Sequence, residues 1–143
     1  MRVLALDLGT KTLGLATCDD TNTITYPLTT LKYSDENYDY LLDELEKIIN
    51  SRKIDTLVLG LPKNMDNSLG FASQRSLNFK KLLEERFNLK IELVDERLST
   101  VAAQNIMLES NMNRKKRKEE IDAYAATIIL DTYLGSVKNE KWK

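Results

Sequence analysis

The residues best placed to do chemistry are carboxylates that interrupt or end apolar patterns. Asp7 closes the run Val3-Leu4-Ala5-Leu6, which is apolar at consecutive positions, as in a strand buried on both faces. Asp95 and Glu96 end the run KIELV and stand immediately before Arg97. Asp122 has Ala126 and Ile129 at i+4 and i+7, which sets it on or beside the buried stripe of a helix. A carboxylate in such a place needs a cation, a metal or several hydrogen bonds to remain charged. Three acids converging from separate elements would raise one another's pKa unless a cation sat between them. A divalent metal meets that requirement, can activate water and can stabilise charge developing on a phosphate. Each acid also has a plainer reading: Asp7 or Asp95 as a turn residue, Asp122 as a half-exposed helix position.

Composition narrows the chemistry further. The 143 residues contain no histidine and one cysteine, Cys18. That removes Ser-His-Asp and Cys-His machinery, His-containing zinc sites and thiolate-rich metal sites. With 22 acids and only carboxylates, cations, hydroxyls and backbone groups as tools, oxygen-preferring Mg²⁺ or Mn²⁺ are the expected metals. A lone cysteine allows no internal disulfide and makes the cytoplasm the expected compartment. No window reaches the roughly 18 apolar residues of a membrane helix, so no membrane partner is expected. The formal net charge is −1, so nucleic-acid binding needs a local basic patch. Arg114-Lys115-Lys116-Arg117-Lys118 supplies one, and Lys11, Lys63 and Arg97 could extend it. Elsewhere such a run is often only a solvated loop.

The elements that must hold these residues follow from periodicity. Arg2–Leu8 and Thr12–Thr17 read as strands joined by a tight link bracketed by Gly9 and Gly14. Residues 23–31 read as a third strand, and Pro27 within it predicts an edge position. Ser34 or Asp35 caps a helix expected over 35–52. Residues 55–61 form a buried parallel strand. A helix near 70–87 follows, with Phe71, Leu77, Phe79, Leu82, Leu83 and Phe87 offered to its inner face. Residues 90–95 make a fifth strand and 100–109 a third helix. Residues 111–118 read as a basic break, and 119–136 as the closing helix. The order predicts an α/β layered domain with a mixed five-stranded sheet, a three-strand antiparallel meander plus two helix-connected parallel strands, flanked by helices. A single domain over 1–137 and a short tail at 138–143 complete the expectation. Ligands in such sheets sit at the carboxyl ends of strands, where Asp7, Gly60 and Glu96 fall.

Asp7-Leu8-Gly9-Thr10 with Gly14, Gly60-Leu61-Pro62, Asp95-Glu96-Arg97-Leu98-Ser99-Thr100, and Ile121-Asp122 with Ala125-Ala126 and Ile129-Leu130 occur in that order. Together they resemble the YqgF family of pre-16S ribosomal RNA nucleases, also described as Holliday-junction-resolvase-like proteins. The resemblance runs from near Met1 to about Leu134. It implies a ribonuclease H-like fold, with Asp7, Glu96 and Asp122 as metal-binding catalytic acids and Asp95 as a supporting neighbour. It also implies trimming of the 5′ side of precursor 16S ribosomal RNA, with Mg²⁺ or Mn²⁺ as cofactor. Lys11, Arg97 and residues 114–118 are expected to contact the nucleic acid, in a monomer or homodimer. Three rivals stand beside this: four-way DNA junction cleavage, a non-catalytic nucleic-acid-binding regulator, and a sugar-kinase or actin-like ATPase. The last shares a DLGT turn, but needs two lobes where this length fits one.

Overall fold

The computed structural model describes residues 1–34, 37–62, 70–95 and 114–141, and within the last segment the side chains of 124–137. Strands β1 (Val3–Leu8), β2 (Thr12–Cys18) and β3 (Thr25–Lys32) lead into helix α1 (Tyr38–Arg52). Strand β4 (Thr56–Leu61), helix α2 (Phe71–Arg86), strand β5 (Lys90–Asp95) and helix α3 (Arg114–Lys141) follow. The sheet order is β3-β2-β1-β4-β5. β1 is antiparallel to β2 and parallel to β4, and β4 is parallel to β5. The mixed five-stranded α/β architecture expected from the sequence is the one observed. β3 lies on an edge, where Pro27 costs the ladder least.

β1 is buried at all six positions because helices cover both faces of the sheet at its centre. On one face Leu4, Leu6, Leu57 and Leu59 pack with Leu41 and Leu45 of α1 and Phe79 and Leu83 of α2. On the other, Val3, Ala5, Ala16 and Val58 pack with Ala126, Ile129 and Leu130 of α3. The small side chains on this second face allow α3 to come close to the strands. Arg86 ties the two helices of the first face together, donating to Asp43 at 2.7 Å and Glu46 at 3.0 Å.

Several local expectations are corrected. The cap of α1 is Asn37, whose side chain accepts from the Tyr40 amide, rather than Ser34 or Asp35. Phe71, expected on the inner face of α2, is 96% exposed. It stands five residues before Ser76, about 140° around a helix of 3.6 residues per turn from the buried stripe. The basic run was expected as a break, yet the backbone of Arg114 to Lys118 is helical. Lys and Arg are good helix formers, and the run contains neither Gly nor Pro to stop it. The same helix continues to Lys141, through backbone expected as a tail. The helix expected over 100–109 lies outside the described residues.

Ser73 and Ser76 carry α2's stripe towards its start, and their hydroxyls are buried without a hydrogen-bond partner among the described residues. A buried unmade hydrogen bond and a mid-helix serine are both unfavourable. Ser76→Ala is therefore expected to stabilise the fold by about 0.5–1 kcal/mol, read as a higher urea midpoint. A lowered midpoint would show that the hydroxyl has a partner.

Candidate functional site

Asp7 is 8% exposed, at the carboxyl end of the central strand. Alternation along β1 puts it on the side of Val3 and Ala5, the face covered by α3. Its cross-strand partner on β2 is Gly14. On β4 the register runs from Val3–Thr56 to Leu6–Leu59, and one further step brings Gly60 beside Asp7. The carboxylate is thus flanked by glycine on both neighbouring strands. Directly paired residues carry Cβ atoms about 5 Å apart, so any larger residue at 14 or 60 would crowd this face beside Asp7. Gly14 lies inside β2 rather than at the turn, which corrects its expected role as a bracket of the link.

The turn after Asp7 is held closely. The Gly9 amide donates to the Thr12 carbonyl at 2.8 Å. A Cβ on Gly9 would stand 3.2 Å from the Thr12 hydroxyl. No described glycine has a positive φ, so compactness rather than a left-handed backbone is what Gly9 provides. Lys11 stands exposed on this turn.

The level of α3 follows from one contact. Thr25 donates to the Asp131 carboxylate at 2.7 Å. Thr25 pairs with Cys18, one position beyond the Leu4–Thr17 pair, so this contact marks the Val3 end of the sheet. Position 122 lies one turn before the buried Ala126, on the helix that covers Asp7's face of the sheet. The Asp122 side chain itself lies outside the described residues, as do those of Arg114 to Lys118.

Asp95 ends β5 opposite Leu61 and is exposed. Val94 packs on the α3 face, so Asp95 points to the α1–α2 face and does not share a side with Asp7. Glu96, Arg97, Ser99, Thr100 and Lys63 lie outside the described residues. Among the described residues no three acids or cysteines gather into a metal-sized group. Cys18 sits at the opposite end of the sheet from Asp7. Its thiol reaches Asn22 Oδ1 at 3.3 Å, and burial, with Asp19 beside it, pushes its pKa up. Two grooves, of about 300 and 270 Å³, run beside β5 and α3 and beside Arg2 and Arg52, and neither includes Asp7. No described helix is long and apolar enough to cross a membrane.

A family model described as RuvX, Holliday junction resolvase, matches residues 1–136. A Geobacillus sp. (strain WCH70) protein named "Putative pre-16S rRNA nuclease" is 46% identical over 136 residues, covering 95% of this chain and 99% of the relative. A protein of the same name from Clostridium botulinum (strain Hall) is 44% identical, covering 96% and 98%. Among solved structures, Thermus thermophilus RuvC in complex with Holliday junction substrate matches with a TM-score of 0.59 at 12% identity, covering 96% of each chain. Fowlpox virus resolvase in complex with Holliday junction DNA matches at 0.58 and 14%, covering 96% of this chain and 99% of that one. At these identities the likeness is one of fold, and it is the ribonuclease H-like fold that the sequence implied.

Proposed function

The chain belongs to the RuvX family of Holliday junction resolvases, and from that premise we propose a divalent-cation-dependent nuclease that trims the 5′ side of precursor 16S ribosomal RNA. The observation that carries the reading is Asp7, a buried carboxylate with glycine on both neighbouring strands. That trough offers oxygen ligation and room for a cation and a phosphate, which fits Mg²⁺ or Mn²⁺. Asp7, Glu96 and Asp122 would hold the ion. Asp7 lies on the face of the sheet covered by α3, the helix that contains position 122. Bound there, the cation lowers the pKa of water and offsets charge on the phosphate. Lys11, Arg97 and Arg114 to Lys118 contact the backbone of the strand, fixing its register without reading its sequence. The name shared by relatives 44–46% identical over nearly the whole chain favours RNA as substrate, and the family description favours branched DNA as the second reading.

Cleavage of precursor ribosomal RNA and of a four-way DNA junction, side by side with Mg²⁺, Mn²⁺ or chelator, separates the readings. RNA cleavage that needs metal is the expected result. Junction cleavage with intact RNA would make the chain a resolvase. Metal-independent binding without cleavage of either would make it a regulator.

A further inference from the structure

The β1–β2 turn is held by a residue far from it in sequence. Tyr33 is 7% exposed, just beyond the end of β3. Its hydroxyl donates to the Gly9 carbonyl, and its amide donates to the Lys11 carbonyl at 2.9 Å. One residue thus grips both sides of the link that carries Thr10 and Lys11. Its ring meets Tyr38 at 5.8 Å, and Tyr38 meets Phe79 at 5.6 Å. The turn is thereby tied through three aromatic rings to the start of α1 and to the middle of α2. A loop of three polar or small residues, Gly9 to Lys11, would otherwise have many conformations to lose when a strand binds.

We infer that Tyr33 is a positioning residue for substrate: it fixes the turn so that Lys11 meets a phosphate of the nucleic-acid strand beside Asp7. The inference rests on the proposed function and names which element of the fold sets this contact. It acts through Lys11, so its effect belongs to binding rather than to the chemical step. Tyr33→Phe keeps the ring and removes the hydroxyl that donates to Gly9.

The test measures binding of a short fluorescein-labelled single-stranded RNA by anisotropy, in chelator, for wild type, Tyr33→Phe, Lys11→Ala and the double variant. One phosphate contact contributes about fivefold to single-strand affinity at 0.1 M salt, so Lys11→Ala is expected to weaken binding by about that factor. Tyr33→Phe should weaken it about two- to fivefold, within that ceiling, and the double variant should bind no worse than Lys11→Ala. With metal present, KM should rise in Tyr33→Phe while kcat stays within about twofold of wild type. Exchange of the Gly9 amide should quicken in Tyr33→Phe, which reports the turn directly. Wild-type affinity in Tyr33→Phe, or losses that multiply in the double variant, would overturn the inference while leaving the nuclease reading intact. Failure of the wild-type chain to bind RNA would overturn both.

Discussion

Asp7→Asn is expected to lower cleavage at least about a thousandfold while leaving the fold in place. The magnitude follows from the several kcal/mol of charge stabilisation that a metal supplies to phosphoryl chemistry, since about 4 kcal/mol corresponds to a thousandfold in rate. Asp7 is buried at the carboxyl end of the central strand. The amide is close to the carboxylate in shape, so the variant should keep a cooperative thermal transition in chelator. Added Mg²⁺ or Mn²⁺ should raise the wild-type midpoint by mass action and raise the variant's much less. RNA binding in chelator should change less than about twofold, because the phosphate contacts are made by cationic side chains rather than by Asp7. Full activity in Asp7→Asn would remove the carboxylate from the mechanism, and with it the proposed site.

The second large effect concerns the basic run. Replacing Lys115, Lys116 and Arg117 by alanine is expected to weaken single-stranded RNA binding about a hundredfold at 0.1 M salt, because each lost phosphate contact removes about 0.7 from the slope of log K against log salt. The difference from wild type should vanish as salt approaches 1 M. The same change should not harm α3. Cations at a helix start oppose the macrodipole, the first turn of α3 contains no acid, and alanine has the highest helix propensity. A thermal midpoint equal to or above wild type, together with a slope lowered by about two, would identify the run as a strand contact. An unchanged salt slope would return it to the status of a solvated helix end.

The two variants divide the site by physical role. Asp7 offers a buried charge at a fixed point of the sheet, where position is set by five strands. The basic run offers several charges at the start of α3. Loss of the first should appear in kcat, and loss of the second in affinity and its salt dependence. Tyr33→Phe should resemble the second class on a smaller scale.

Local pattern along the chain is enough to specify the sheet and its central acid. Consecutive apolar residues from Val3 to Leu6 require burial on both faces, Pro27 requires an edge, and the alternation of strand and helix after residue 33 requires parallel strands. These are local or near-local rules, so one chain suffices to apply them. Glu96 and Asp122 stand out by pattern and resemblance, and their side chains lie outside the described residues. Helix phase around Phe71 is not legible in the sequence because an apolar side chain says nothing of which way an amphipathic helix is turned; its buried serines set that. The surroundings of Asp7 come from strand pairing. Gly14 and Gly60 lie 46 positions apart in the sequence and become neighbours of one carboxylate through strand register. Tyr33 reaches Gly9 across 24 residues. Register and long-range hydrogen bonds are properties of paired strands, and no periodicity within a single segment carries them.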